Sequence, residues 1–221
     1  MRVISGTAKG RPLKPAGAAT RPITDRVKES LFDILAARVV GANLLDLFAG
    51  AGSVGIEALS RGARAATFVE LDRDALHAIH ANLETTRLTD RARVVRLDVF
   101  KFIRHGGGVI ASAAKQSPSH EPEITSSQSE APLAGKQLLA MTQSVGEGKY
   151  DLIYIAPPQY KGLWAETLRA LDGSALLAER GIVVAQIHPK EYTELALTKL
   201  ELFDQRKYGS TLLCFYRGRA K

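Results

Sequence analysis

The feature that most constrains this chain is an apolar run that breaks into glycines. Residues 44–47 lead through Phe48 into Gly50-Ala51-Gly52-Ser53-Val54-Gly55, and the next apolar run ends at Glu70. A buried strand that feeds a glycine turn lets a ligand approach the backbone, and the following helix points its N-terminal N–H groups at that ligand. An acid about twenty residues further on can accept hydrogen bonds from the ribose hydroxyls. The pattern predicts one half of a nucleotide-cofactor site.

Two further features favour S-adenosylmethionine over NAD. Asp46 precedes the first glycine, where a carboxylate would face an ammonium group favourably and a pyrophosphate unfavourably. A second strand, residues 150–155, stops at Pro157-Pro158, which cannot continue a sheet ladder. These prolines predict a rigid corner at the carboxyl edge of the sheet, where open α/β sheets bind their ligands. The spacing of Gly50, Gly52 and Gly55 also fits an NAD-dependent oxidoreductase, which would leave the corner unexplained.

Predicted strands and helices alternate along the chain. Strands are expected near 43–47, 66–70, 93–97, 150–155 and 181–187, and helices near 53–62, 72–87, 161–172 and 173–180. This alternation predicts an α/β fold with a mostly parallel sheet and helices on both faces. Two more β-like runs, 199–206 and 210–216, meet at Tyr208-Gly209 and predict an antiparallel hairpin at the end of a seven-stranded sheet.

The N-terminal residues predict a small appendage to this core. Residues 2–5 and 10–14 are expected to form a basic β-hairpin, followed by a Pro/Gly/Ala-rich linker over 15–22. Thr24 or Asp25 then caps a helix with apolar residues at Val27, Leu31 and Ile34. We therefore divide the chain into a hairpin and linker, 1–20, and a Rossmann-like domain, 21–221.

One segment departs from the alternating pattern. Residues 106–148 contain no aromatic side chain, and 16 of the 43 are Gly, Pro or Ser. Such a composition buries too little apolar surface to offset the entropy of ordering. We interpret the segment as a low-complexity insertion, with a short helix near 133–145.

The charges of the chain are segregated. The net charge is +7, with +5 in residues 1–40, +4 in residues 199–221 and −2 in the remainder. Basic ends around a nearly neutral core predict a phosphate-binding face. The single cysteine, Cys214, lies in an apolar run and predicts a buried thiol in a reducing compartment. With no apolar stretch of membrane-spanning length and no signal-peptide pattern, we expect a cytoplasmic protein without a membrane partner.

Several strings resemble one known family, the bacterial 16S ribosomal RNA guanine-N2 methyltransferases of the RsmD type. The most specific is Thr20-Arg21-Pro22-Ile23-Thr24-Asp25-Arg26-Val27-Lys28-Glu29. The others are Arg2-Val3-Ile4-Ser5-Gly6, Lys9-Gly10-Arg11, the glycine loop, the Pro-Pro corner and Lys207-Tyr208-Gly209-Ser210-Thr211. The resemblance runs nearly from end to end and implies a class I methyltransferase fold, S-adenosylmethionine as cofactor and ribosomal RNA as partner, within a small-subunit assembly.

The resemblance also implies roles for individual residues. Cofactor contacts are expected at Asp46, Phe48, Gly50, Gly52, Glu70, Leu71, Asp98 and Val99. Contacts with RNA are expected at Arg2, Lys9, Arg11, Lys14, Arg21 and Arg26, and the catalytic corner is Ala156, Pro157, Pro158 and Tyr160. No metal site is expected, because no second His or Cys stands at ligand spacing. We expect a monomer.

The corner departs from the family pattern at its outer positions. The family has Asp or Asn before the prolines and Phe or Tyr after them, whereas this chain has Ala156 and Gln159, with Tyr160 one residue late. The side chain of Ala156 cannot accept a hydrogen bond from the target amine, so reduced transfer is expected. Two alternatives stay open: a methyltransferase-like RNA-binding or assembly protein with weak or no transfer, and an adenine-N6 methyltransferase. Methylation of a protein glutamine shares the same corner.

Overall fold

A computed structural model describes residues 1–17, 23–107 and 148–219 of the chain. Within them, seven strands form one sheet in the order β3-β2-β1-β4-β5-β7-β6. The strands are β1 Asn43–Leu47, β2 Ala65–Glu70, β3 Ala92–Arg96, β4 Tyr150–Ile155, β5 Leu177–Ile187, β6 Leu200–Tyr208 and β7 Thr211–Gly218. Strands β1 to β5 are parallel, and β7 pairs antiparallel with both β5 and β6. The predicted parallel sheet with an antiparallel hairpin at its edge is confirmed.

Five α-helices in the described ranges cover the two faces of the sheet. They are α1 Asp25–Leu35, α2 Ser53–Ser60, α3 Arg73–Thr86, α4 Val99–Arg104 and α5 Leu163–Asp172. Apolar side chains of α1, α2 and α3 pack in one core on the first face, and those of α4 and α5 pack in a second core on the other. Successive side chains of a strand point to opposite faces, so Leu44 lies in the first core and Leu45 in the second. Strand β1 pairs in parallel with β4, with Leu47 opposite Ile155, so the carboxyl ends of these two strands lie side by side.

Polar side chains cap the N-termini of three helices. Thr24 Oγ1 accepts the N–H of Val27 at α1, Asp72 accepts that of Ala75 at α3, and Asp98 accepts that of Lys101 at α4. Such side chains satisfy N–H groups that have no partner within the helix. The cap predicted at Thr24 or Asp25 is thus Thr24.

The expected helix over 173–180 is wrong. Helix α5 ends at Asp172, and Leu177 pairs with Tyr150 of β4, so β5 begins inside the predicted helix. Residues 175–179 are favourable helix formers, but pairing with the neighbouring strand decides their conformation, as tertiary context often does. The helix expected near 133–145 lies outside the described residues, as does most of the predicted insertion.

The N-terminal segment, residues 1–17, forms a loop with hairpin-like pairing and no regular strands. One β-bridge joins Arg2 and Pro12, supported by hydrogen bonds from Val3 N–H to the Arg11 carbonyl and from Gly10 N–H to the Val3 carbonyl. The predicted short hairpin is therefore present as a single antiparallel bridge and not as two paired strands. The pairing does not extend further for two reasons. Pro12 has no N–H to donate to a strand partner, and the N–H groups of Ile4 and Ser5 donate to a side chain of α2 instead.

That side chain is the buried carboxylate of Glu57. It accepts the N–H of Ile4 at 2.7 Å and of Ser5 at 2.9 Å, and it pairs with Arg61 at 2.8 Å and with buried Lys28 at 3.5 Å. Burial lowers the pKa of Lys28, while the Glu57 carboxylate opposes that change. A buried charge needs such partners, so Glu57 fixes the N-terminal segment on α1 and α2.

Candidate active site

The glycine loop connects β1 to α2 through left-handed backbone. Gly50 and Gly52 have φ of 54° and 73°, and Phe48, which is not a glycine, has φ of 60°. A Cβ on Gly50 would meet nothing within 4 Å, so open space lies beside the loop at this point. A non-glycine residue with positive φ costs energy and is typical of functional loops. The loop therefore has the open, strained geometry expected where a ligand approaches the backbone.

Gly55 has a different role from the two glycines before it. A Cβ at this position would lie 2.2 Å from Cε1 of Phe68 on β2. No side chain fits there, so Gly55 allows α2 to pack closely on the sheet. This is the packing role of the third glycine in nucleotide-binding loops.

Asp46 lies beneath the loop, with 1% of its surface exposed. One carboxylate oxygen accepts the N–H of Gly55 at 3.0 Å. Burial raises its pKa from 3.8 to about 8, the hydrogen bond from Gly55 opposes that rise, and the nearby charge of Glu70 adds to it. Asp46 is therefore a largely protonated acid at neutral pH, and a cation placed beside it would favour its ionisation.

Glu70 closes the loop at the end of β2. Its two oxygens accept the N–H groups of Gly50 at 2.8 Å, Leu71 at 2.7 Å and Asp72 at 3.0 Å. A carboxylate has about four acceptor positions, so roughly one remains for a ligand hydroxyl. The same side chain therefore orients the glycine loop and faces the space beside it.

A cleft of about 710 Å³ lies between the ends of β2 and β3 and the corner after β4. Its volume is in the range of small-molecule sites. The residues that line it are Phe48, Val69, Glu70, Leu71, Asp72, Arg73, Asp74, Leu97, Asp98, Val99, Pro158 and Leu163. One oxygen of Asp98 caps α4. This capping bond occupies only part of the carboxylate, so Asp98 keeps acceptor capacity toward the cleft.

The Pro-Pro corner borders this cleft. The N–H of Ala156 lies 3.4 Å from the carbonyl of Leu47, which connects the corner to the end of β1. Pro158 lines the cleft, whereas the Ala156 side chain packs against the first core. Tyr160 has φ of 61° and is 67% exposed. The corner thus reaches the cleft through Pro158, and the exposed ring of Tyr160 follows two residues later in the chain.

The structure brings together six of the predicted site residues as cleft lining: Phe48, Glu70, Leu71, Asp98, Val99 and Pro158. Asp46, Gly50 and Gly52 lie in or beneath the adjoining loop, and Ala156, Pro157 and Tyr160 lie outside the lining. Sequence reasoning missed the other six lining residues, which are Val69, Asp72, Arg73, Asp74, Leu97 and Leu163. The position of Leu97 beside Asp98 at a strand end was an available signal, whereas nothing in the sequence distinguishes Leu163.

Several basic residues at the chain ends form ion pairs or hydrogen bonds with other groups of the protein. Arg2 pairs with Asp25, a guanidinium nitrogen of Arg11 donates to the Thr85 carbonyl, Arg206 pairs with Asp204 and Arg217 with Glu201. The side chains of Lys9, Lys14 and Arg26 are exposed. Arg21 lies outside the described residues. The exposed N-terminal cations are therefore the ones best placed to meet a phosphate backbone.

The described residues contain neither a membrane-spanning helix nor a metal-binding cluster. No helix in the described ranges has both the length and the apolar character needed to cross a bilayer. Among the same residues, no group of three or more His, Cys, Asp or Glu side chains is arranged to hold a metal ion.

Comparisons with known proteins agree with this geometry. Residues 1–109 and 121–217 match the family model described as conserved hypothetical protein 95. The Bacillus subtilis protein named "Putative rRNA methyltransferase YlbH" is 36% identical over 99% of this chain and 100% of its own length. Ribosomal RNA small subunit methyltransferase D of Escherichia coli is 31% identical over 84% of this chain and 74% of its own.

A solved structure gives the same result. The Escherichia coli protein titled "Putative methyltransferase yhhF" is 26% identical, with a TM-score of 0.72 over 100% of this chain and 99% of the other. The family model covers far more than half of the chain, and two relatives exceed 30% identity over most of it. The chain therefore belongs to the family described as conserved hypothetical protein 95, together with the ribosomal RNA small subunit methyltransferases D.

Proposed function

We propose that this protein transfers a methyl group from S-adenosylmethionine to the exocyclic N2 amine of a guanine in 16S ribosomal RNA. The single observation that carries the proposal is the common cleft formed by Glu70, Asp98 and Pro158 at the carboxyl edge of the sheet. Cofactor groups and the transfer corner would share that one space. The names of the relatives support the class of reaction and the class of RNA.

The residues of the cleft suit the parts of the cofactor. The acceptor position that Glu70 keeps free suits a ribose hydroxyl. The Asp98 oxygen that does not cap α4 suits the adenine amine, and Val99 would pack against the adenine ring. Asp46 lies behind the glycine loop, where a nearby ammonium group would stabilise its charged form. S-adenosylmethionine supplies an activated methyl group on a positively charged sulfur.

The corner has to orient a weak nucleophile. The lone pair of an exocyclic guanine amine is delocalised into the ring, so acceptors on its hydrogens are needed to turn it toward the methyl group. Ala156 offers only its backbone carbonyl, and the carbonyl of Pro157 is the second available acceptor. A missing charge-assisted hydrogen bond is worth roughly 1.5–3 kcal/mol. This chain is therefore proposed to transfer the methyl group more slowly than relatives with Asp or Asn at the corner.

The RNA contacts are proposed for the N-terminal segment. Lys9, Lys14 and Arg26 are exposed cations, and Glu57 fixes the segment that carries Lys9. Asn82 of α3 binds both backbone groups of Lys14 and the carbonyl of Ala51 in the glycine loop. The basic segment thus lies beside the cofactor loop. We propose that a monomer in the cytoplasm acts on an assembling small subunit.

The test is chemical analysis of ribosomal RNA. Nucleosides from cells with and without this gene would be compared by mass spectrometry, and the purified protein would be supplied with small subunits from the deficient cells. The expected result is loss of one N2-methylguanosine and its restoration in vitro. Loss of an N6-methyladenosine would favour the adenine alternative, which the corner also accommodates. An unchanged nucleoside content would favour an RNA-binding assembly protein, which the side chain of Ala156 permits.

A further inference from the structure

Tyr160, His188 and Glu191 meet just after the Pro-Pro corner, through hydrogen bonds of the Glu191 carboxylate and a contact between the two rings. Tyr160 follows the corner after β4, whereas His188 and Glu191 belong to the turn that follows β5. The two segments are separated by a whole helix and strand in sequence. They lie together because β4 and β5 are parallel neighbours whose carboxyl ends share one edge of the sheet.

Glu191 holds the two segments together. Its Oε1 accepts the N–H of Tyr160 at 2.7 Å, and its Oε2 accepts the N–H of His188 at 3.3 Å. Nδ1 of His188 in turn accepts the N–H of Lys190 at 3.2 Å. One carboxylate therefore fixes the loop after β4 to the turn after β5, and the turn is closed by its own cap.

Tyr160 is held in a conformation that an isolated loop would not keep. Its φ is 61°, which is unfavourable for an aromatic residue, and such strain persists only where the surroundings impose it. Its ring centroid lies 5.5 Å from that of His188, with the planes tilted by 42°. Most of the ring is nevertheless exposed, and Pro158, two residues earlier in the chain, lines the cleft.

We propose that Glu191 and His188 are positioning residues that hold Tyr160 as one wall of the site for the target guanine. The proposal rests on the methyltransferase function proposed above. A ring fixed on one side by an imidazole and exposed on the other offers a stacking face without having to be ordered first. Since misplacement by about 1 Å can cost a hundredfold in rate, the turn after β5 becomes part of the transfer site.

The first experiment measures transfer and cofactor binding separately. Single-turnover transfer to small ribosomal subunits and calorimetric affinity for S-adenosylhomocysteine would be compared among variants. Glu191→Ala and His188→Ala are expected to transfer about ten- to a hundredfold more slowly, with unchanged cofactor affinity. Glu191→Gln keeps one of the two acceptors and His188→Phe keeps a ring, so each should recover part of the rate. Glu194→Ala, an exposed acid three residues from Glu191, is the matched control and should behave as the wild type.

A second experiment is independent of methyl transfer. Ribosomal RNA carrying 6-thioguanosine would be irradiated with the protein in the presence of S-adenosylhomocysteine, and crosslinked residues would be identified by mass spectrometry. Tyr160 is expected to crosslink in the wild type and in Glu194→Ala, and to lose most of its crosslinking in Glu191→Ala. Crosslinking at Tyr160 without any transfer would overturn the proposed function and leave the positioning roles standing.

Two outcomes would overturn the positioning roles themselves. One is the absence of a Tyr160 crosslink in a wild-type protein that transfers the methyl group. The other is a loss of cofactor affinity and thermal stability in Glu191→Ala that accounts for its loss of rate, since a purely structural side chain would have that effect.

Discussion

The variant Asp46→Asn is expected to become more stable relative to the wild type as the pH rises. Asp46 is buried, and its pKa in the folded protein is about 8, against an ordinary value of 3.8. At pH values between these two pKa values, Asp46 holds a proton in the folded chain but has released it in the unfolded chain. Stability from this site is therefore complete below pH 4 and is lost as the pH rises toward 8. Asn carries no charge at any of these pH values, so its contribution stays constant.

The size of the effect follows from the shift. One unit of pKa corresponds to about 1.36 kcal/mol, and the interval from pH 5 to pH 8 spans about three units. We expect the free energy of unfolding of Asp46→Asn, relative to wild type, to increase by about 2–4 kcal/mol across that interval. For a chain of this size the increase corresponds to about 4–16 °C in Tm. The buried amide has its own cost, but that cost does not vary with pH and cancels in the comparison.

The assay is urea denaturation of both proteins at pH 5 and pH 8. Asp33→Asn, which removes an exposed acid of α1, is the control and should follow the pH dependence of the wild type. An unchanged difference between Asp46→Asn and wild type at the two pH values would refute the argument that Asp46 is held protonated. In the presence of S-adenosylhomocysteine the wild type should gain more stability at pH 8 than the variant gains, because the ammonium group favours the ionised carboxyl.

Further predictions concern the corner, the cofactor site, the basic segment and the sheet edge. Ala156→Asn should raise single-turnover methyl transfer about tenfold with little change in cofactor affinity; a slower variant would mean that backbone carbonyls alone orient the amine. Glu70→Ala should weaken binding of S-adenosylhomocysteine, measured by calorimetry, by about 1–3 kcal/mol. Replacing Lys9 and Lys14 by Gln should flatten the salt dependence of RNA affinity by about two counterions at most, and an unchanged slope would place the RNA elsewhere. Asp172 accepts four hydrogen bonds from Thr198, Lys199 and Leu200. Although burial opposes it, these bonds lower its pKa. Asp172→Asn should therefore destabilise the protein by about 2–3 kcal/mol at pH 7, less toward pH 3, and an equal loss at both would contradict this origin.

Much of the fold could be predicted because its signals are local. The apolar runs before Gly50 and Pro157 are strands, and Thr24, one of the two predicted caps, stands where α1 begins. Parallel strands end at one edge of a sheet, so the sequence alone was enough to group Glu70, Asp98 and Pro158 in one site. The helix expected over 173–180 failed because pairing with β4 overrode a favourable local propensity.

The sequence by itself determined the alternation of strands and helices, the glycine loop, the acids at the strand ends and the proline corner, since each depends on neighbouring residues. Only the tertiary structure decided which distant groups meet. It placed Glu57 against the N-terminal segment, Asn82 between Lys14 and the glycine loop, and Glu191 between Tyr160 and His188. It also paired several basic side chains at the surface with acidic side chains of the protein. These contacts depend on the order and spacing of strands in the sheet, and no local pattern of residue types encodes the partner of a side chain far away in the chain.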